Sequence, residues 1–246
     1  MKNILIIVFS LFLIISACRK TADCISDTGE KVSYEYNINS FDTLVINDNF
    51  NVSLIQDTVN KLIISAYEKY ADATIFNIYE NSLTLGNDYN CKFTKPEKSK
   101  INVKIHLKSI SLIRVNAASK IISENTLINN NETGIIVNTK FFEADLKINC
   151  RVFYFWNTHL NGGKMYLQGK TNILKLWNTS LFAVDASKLT TDSAYIENTS
   201  KGDIYANVNE YLSCVIKSSG NVYYYGSPPK ITVNDTISSG RLIKAQ

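Results

Sequence analysis

Between residues 136 and 219 the chain repeats a short alternation of apolar and polar positions that ends on Asn-Thr or Ser-Ser. Five segments align: Ile136-Val137-Asn138-Thr139, Phe153-Tyr154-Phe155-Trp156-Asn157-Thr158, Leu174-Lys175-Leu176-Trp177-Asn178-Thr179, Ala194-Tyr195-Ile196-Glu197-Asn198-Thr199 and Cys214-Val215-Ile216-Lys217-Ser218-Ser219. Extending the register to Ala117 and Ser239 gives intervals of 21, 19, 21, 20, 20 and 21 residues along Ala117, Asn138, Asn157, Asn178, Asn198, Ser218 and Ser239. A steady period of that size marks stacked structural repeats. Inside each unit the period is two, that of a strand, with Phe155, Leu176, Ile196 and Ile216 facing one way. No helical pattern fits between units. The predicted fold is therefore all-β, a parallel β-helix with coils of about 20 residues, each burying its apolar side against the next.

The Asn column has a structural reason. Coils stack about 4.8 Å apart, so amides at one position can bond along the stack while satisfying turn backbone. Asn138, Asn157, Asn178, Asn198 and Ser218 are the expected ladder. The first half is less regular but alternates in the same way over residues 41–46, 51–55, 61–65, 82–85, 101–107 and 110–115, which predicts strands of the same stack. Residues 86–100 read as a polar loop.

The N-terminus breaks this pattern. Met1-Lys2-Asn3 is followed by an apolar run from Ile4 to Ile15 and then Ser16-Ala17-Cys18, the layout of a secretory signal. The run is shorter than the roughly 20 apolar residues that span a bilayer. Ile15-Ser16-Ala17-Cys18 resembles a bacterial lipobox, which implies cleavage before Cys18 and a lipid on it. Arg19 rather than Asp follows, which favours the outer membrane, on a face the sequence leaves open. The expected organisation is a signal peptide over 1–17, a lipidated tether and lead-in over 18–40, and one β-helix domain over 41–246.

Composition narrows the classes further. A net charge of +4 with dispersed basic residues gives no nucleic-acid footprint, and three prolines and ten glycines argue against disordered linkers. With Cys18 lipidated, four cysteines remain. Cys24 and Cys91 are a candidate disulfide, whereas Cys150 and Cys214 lie in strand-like runs and read as buried apolar groups. No Cys/His spacing reads as a metal site, and no cofactor is implied.

Three stretches carry a family resemblance: Phe41-Asp42-x-Leu44-x-Ile46 with Val52-x-Leu54, then Ile101-x-Val103-x-Ile105-x-Leu107 with Ile110, and the closing Ser218-Ser219-Gly220-Asn221-Val222-Tyr223-Tyr224-Tyr225-Gly226-Ser227-Pro228. From about Phe41 onward the chain resembles the GIN-domain family of auto-transporter adhesin heads. The first stretch is similar to that family's opening hairpin and the last to its final coil. The middle turns read Asn-Thr where the family usually has Ser-Gly-Ala-Gly-like turns, which makes this a divergent member. The resemblance implies a right-handed β-helix and an adhesive or cell-envelope role, and carries over no binding residues.

Trp156 and Trp177 hold one outward position in adjacent coils, and Tyr154 and Tyr195 another. An exposed aromatic stripe suits glycan stacking or protein docking; the plainer expectation is that the N-terminal segment or a loop covers it. Asp145, Lys164 and Asp185 each follow a ladder Asn by seven residues. That places two carboxylates two coils apart, near the upper range for an inverting glycosidase, but with Lys164 between them a cross-coil charge ladder explains them with less. The Gly162-Gly163 pair can shift that register. His106 and His159 have no nucleophile partner in a recognisable motif. Thr43, Thr58, Ser193 and Thr236 each follow an Asp in a three-residue pattern that resembles a bacterial O-glycosylation signal. The expectation is a lipid-anchored binding or adhesion module for a glycan or cell-surface protein, not an enzyme. The alternatives are a structural envelope component and, remotely, a polysaccharide-acting enzyme.

Overall fold

A computed structural model describes Cys24 and residues 27–92, 96–158, 160–235 and 238–246. The signal-like segment, Cys18, His159 and Thr236 lie outside the described residues. The chain is a β-solenoid of about six turns, with coils about 21 residues apart. No described helix is long and apolar enough to cross a membrane.

Two ladders of strands form the walls. One runs through β5 (Thr74–Tyr79), β6 (Ser82–Asn87), β2 (Thr43–Ile46), β8 (Leu112–Val115), β10 (Leu127–Val137) and the second part of β11 (Phe141–Asn157). The other runs through β1 (Lys31–Asn37), β4 (Lys61–Tyr67), β7 (Ile101–Leu107), β3 (Phe50–Gln56), β9 (Ser119–Ser123) and the first part of β11. The stack continues through β12 (Gly162–Ser200) and β13 (Ile204–Ile216) to β14 (Val222–Tyr225), β15 (Lys230–Asp235) and β16 (Leu242–Lys244). Thus β2 and β3 sit in opposite walls of one coil and pair with other strands, so the expected opening hairpin is not one.

Side-chain alternation turns this stacking into continuous rows. Leu83, Leu44, Ile113, Ile135, Phe155 and Leu176 lie opposite one another in successive strands, and all are fully buried. The N-terminal end departs from parallel stacking: β1 with β4, β4 with β7, and β5 with β6 are antiparallel. The β5–β6 reversal uses two residues, Glu80 and Asn81, both at positive φ (46° and 61°), the hairpin turn whose twist matches the strands it joins. A short helix, α1 (Glu68–Asp72), packs against β1 and β4. Cys24 and Cys91 are joined by a disulfide, with Cα atoms 5.1 Å apart across 67 residues of sequence, which ties the lead-in to the loop after β6.

The Asn ladder is an interruption of an apolar row. Ile46 faces Val115, Val115 faces Val137, and Val137 faces Asn157. At the far side, Asn198 faces Ile216. Between them Asn157, Asn178 and Asn198 are fully buried. Asn157 Nδ2 donates to Asn178 Oδ1 (3.5 Å), and Asn178 Nδ2 donates to Asn198 Oδ1 (3.3 Å). Each amide also closes its own turn: Asn157 onto Asn161 Oδ1 (2.8 Å), Asn178 onto the Phe182 carbonyl (2.8 Å), Asn198 onto the Gly202 carbonyl (3.2 Å). The Thr179 N–H reaches Asn157 Oδ1 at 2.7 Å. Buried amides are tolerable only when paired in this way.

Asn138 and Ser218 belong elsewhere. The interval from 138 to 157 is 19 residues, so Val137 takes the inward place and Asn138 falls one residue later on the outer side, as a one-residue slip requires. There it joins a second, exposed ladder: Asn116 Nδ2 donates to Asn47 Oδ1 (2.8 Å), Asn138 Nδ2 to Asn116 Oδ1 (3.1 Å), and Thr158 Oγ1 to Asn138 Oδ1. Register shifts between Ala186 and Thr190 and between Thr191 and Ser193 put Ile216 opposite Asn198. Ser218 is left in the following turn, its carbonyl accepting from Gly240 N (3.0 Å).

Cys150 and Cys214 lie in the core. Burial pushes the Cys150 thiol up from its ordinary value, with the hydrogen bond to Thr171 opposing it. Cys150 is therefore expected to resist iodoacetamide at pH 8 in the folded protein and to react once denatured, as read by mass spectrometry. Asn178→Ala should lower the unfolding free energy by about 2–3 kcal/mol through unpaired buried groups, whereas Asn138→Ala should cost under about 1 kcal/mol at its half-buried, outward-facing site. Urea denaturation of the two variants checks this, and equal losses would contradict a special role for the inner ladder.

Candidate functional site

The outward row beside the inner ladder runs Val45, Arg114, Ile136, Trp156, Trp177. Parity fixes this: each is one residue away from a buried position in its strand, so the same backbone that buries Phe155 and Asn157 must turn Trp156 out. Trp156 is 50% exposed and Trp177 41%. Opposite each other in register, the indoles wall a shallow depression of about 270 Å³. Among the described residues no loop covers the pair, and most of the N-terminal segment named as its other expected cover lies outside them. The depression is lined by the two indoles alone, over strands whose inward side chains are buried.

Tyr154 lies two residues before Trp156 and opposite Gly134. A Cβ on Gly134 would sit 1.9 Å from the Tyr154 ring, so the missing side chain is what lets the ring lie against the neighbouring coil. Tyr154 is half-buried. Burial pushes its hydroxyl up, with Glu132 adding to the shift and Arg114 opposing it. Lys175 stands opposite Tyr154. Tyr195 is exposed but belongs to a later coil, where its ring meets Tyr211 edge-on at 5.6 Å. The structure thus assembles Trp156, Trp177 and Tyr154, places Arg114 and Ile136 in the same row, and sets Tyr195 apart. Arg114 and Ile136 were missed in the sequence because their coils lack the aromatic motif, although their parity is the same.

The opposite wall corrects the carboxylate reading. Asp145 faces Tyr166, and Lys164 faces Glu143. The two-residue difference arises before β12, one residue from the slip at Asn138 and one from the longer turn after Asn157, because Gly162 and Gly163 pair in register with Phe141 and Phe142. Gly163 has φ +132°, and a Cβ there would lie 1.8 Å from the Phe142 carbonyl oxygen. Asp145, Tyr166 and Asp185 line one depression of about 240 Å³, with Lys188 rather than Lys164 as the lysine beside the two carboxylates. Lys164 Nζ lies 4.3 Å over the Tyr166 ring. Asp185 Oδ1 accepts from Ser187 Oγ (2.6 Å) and N (3.1 Å), and Asp145 Oδ1 accepts from Gln168 Nε2 (3.5 Å). The row continues through Tyr205 and Tyr223, opposite each other with rings stacked at 4.8 Å.

His106 is not isolated: its Nδ1 is 2.8 Å from Asp57 Oδ2. That bond, with the Thr58 N–H, holds the Asp57 carboxyl below the usual carboxylate range. Of the Asp-Thr/Ser sites, Thr58 is in an exposed turn, whereas Thr43 is half-buried within β2 and bonds Asp42 Oδ1 (3.0 Å). Ser193 is half-buried within β12. No cluster of three or more metal-ligating His, Cys, Asp or Glu occurs among the described residues.

Known proteins share this architecture. A crystal structure of a "putative adhesin" from Bacteroides fragilis superposes with a TM-score of 0.78 at 17% identity, covering 88% of this chain and 97% of the other. A "putative adhesin" from Parabacteroides distasonis gives 0.65 at 13% identity, covering 88% and 98%. A "putative lipid binding protein" from the same species gives 0.65 at 14%, covering 89% and 98%. At these identities the likeness is one of fold. No curated protein sequence matches the chain. The profile of the family described as "Putative auto-transporter adhesin, head GIN domain" matches residues 40–228, and the chain belongs to that family.

Proposed function

We propose that this chain is a cell-envelope adhesion module, held to a membrane by a lipid on Cys18, that binds glycan through the Trp156–Trp177 platform. Membership of an adhesin-head family and the adhesin descriptions of the structural neighbours support a surface or envelope role. The observation that carries the ligand reading is the pair of exposed indoles on consecutive coils. Their apolar faces gain from contact with the C–H faces of sugar rings, and their geometry is set by strands rather than loops. A pre-ordered platform loses little entropy on binding. Tyr154, Lys175 and Arg114 lie within the same patch and supply polar contacts to ring hydroxyls. A purely structural envelope role gives no reason to leave two tryptophans in water, where exposed apolar surface is a liability. A non-enzymatic role fits the exposed Asp145, which lacks the apolar pocket that makes a carboxyl a general acid.

Screening the protein against a glycan panel tests this. Trp156→Ala with Trp177→Ala should weaken any bound glycan by about tenfold or more, the effect of removing central aromatic anchors, with the circular dichroism spectrum unchanged. Tyr195→Ala should have little effect. Undiminished binding in the double variant would move the site elsewhere, and binding to a host or neighbouring protein instead would replace glycan as the ligand. Protease added to intact cells should remove the domain, and protection until outer-membrane lysis would contradict adhesion. Cys18→Ala should abolish fatty-acid labelling and release the protein from membranes.

A further inference from the structure

Charge is not spread evenly around the two indoles. Lys175 stands opposite Tyr154 and two residues before Trp177, about 7 Å along the same outward face. It is half-buried. Tyr195 continues its row, because Lys175 and Tyr195 lie three residues before Asn178 and Asn198, which bond each other. By the same count Glu197 follows Trp177 one coil on, but Lys217 Nζ answers its carboxylate at 2.6 Å. Arg114 is exposed in the Trp row, two coils before Trp156 and about 10 Å from it. The exposed carboxylate of Glu132 is farther off: its residue faces Val152, about 13 Å along the strand from Trp156. On the other flank of the indoles the outward residues Asn138 and Thr158 are uncharged. Neither Lys175 nor Arg114 forms an ion pair with another described residue. The unanswered charges nearest the depression are therefore both positive.

We infer that the ligand of this platform is an acidic glycan, whose carboxylate or sulfate group is received by Lys175 while a sugar ring stacks on the indoles. The inference rests on the glycan reading proposed above and narrows it. A half-buried ammonium between the positions of Tyr154 and Tyr195 has given up part of its water and has no carboxylate in return. Hydroxyls of a neutral sugar can bond to it, but a bond between two charged groups is the stronger and shorter one. Arg114 adds attraction for a second anionic group farther along the same row. A cationic glycan would be opposed by both. The other wall differs, since there Glu143, Asp145 and Asp185 lie among Lys120, Lys164 and Lys188 and the signs balance. The preference for an anion belongs to the tryptophan wall.

The chain holds two tryptophans, and both are in the platform, so tryptophan emission reports binding at this site. Matched hexasaccharides test the charge preference in the unlipidated chain carrying Cys18→Ser. The probes are hyaluronan with its carboxyl-reduced form, galacturonan with its methyl ester, and chondroitin sulfate with its desulfated, carboxyl-reduced form. The acidic member of at least one pair should bind about tenfold or more tighter than its neutral partner, and added salt should weaken the acidic member alone. Lys175→Gln should bring the acidic member down to its neutral partner and leave that partner unchanged, whereas Lys175→Arg should keep the preference. The side chain points outward, so an unaltered circular dichroism spectrum checks the fold. Neutral members that bind as tightly as acidic ones, or a preference that survives Lys175→Gln, would overturn this inference and leave the glycan platform standing. A panel in which no member moves the emission would overturn both readings. Calorimetry that finds acidic binding intact in the Trp156→Ala and Trp177→Ala double variant would do the same.

Discussion

Every coil of this molecule is held to the next by backbone hydrogen bonds at one fixed spacing, and a side chain's place in its strand decides whether it is buried or exposed. Such a stack has little to prevent one coil from sliding by two residues on its neighbour, because apolar rows accept Leu, Ile, Val or Phe alike. The inner Asn ladder supplies the missing discrimination. Asn157, Asn178 and Asn198 are buried where Val137 precedes them and Ile216 follows, and a slip would leave amides facing aliphatic groups. Buried polar groups that are satisfied in one register and stranded in the others select that register.

The same rule composes the outer surface. Because the ladder fixes the register, Trp156 and Trp177 must stand opposite each other, and the exposed indole pair follows from packing inside. Tyr154 lies flat because Gly134 in the previous coil has no side chain. On the other wall the Asp145–Tyr166 pairing is set by the slip at Asn138 and the longer turn after Asn157.

The period and the two-residue alternation were legible because both come from the backbone and survive substitution. So were the outward parity of the tryptophans, the Cys24–Cys91 bridge and the burial of Cys150 and Cys214. What failed to read through was counting across turns. Intervals of 19 or 20 residues look equivalent in sequence, yet 19 moved Asn138 to the outer ladder, and two bulges moved Ser218 out of the row altogether. Lys164 was misplaced for the same reason, since counting from a ladder Asn assumes turns of equal length. Antiparallel pairing at the N-terminal end was equally hidden: a strand's alternation is the same whichever way its neighbour runs. Exposure of the indoles depends on what lies over them, and no local pattern contains that.

Rigidity bears on how a shallow site could hold a partner. The Trp156–Trp177 depression has no enclosing walls, so under the reading proposed above each contact is modest. Strands and not loops hold the two indoles, so their ordering cost is met at folding and need not be met again at each encounter. Copies displayed together on one surface would gain further through effective concentration, without any new interaction.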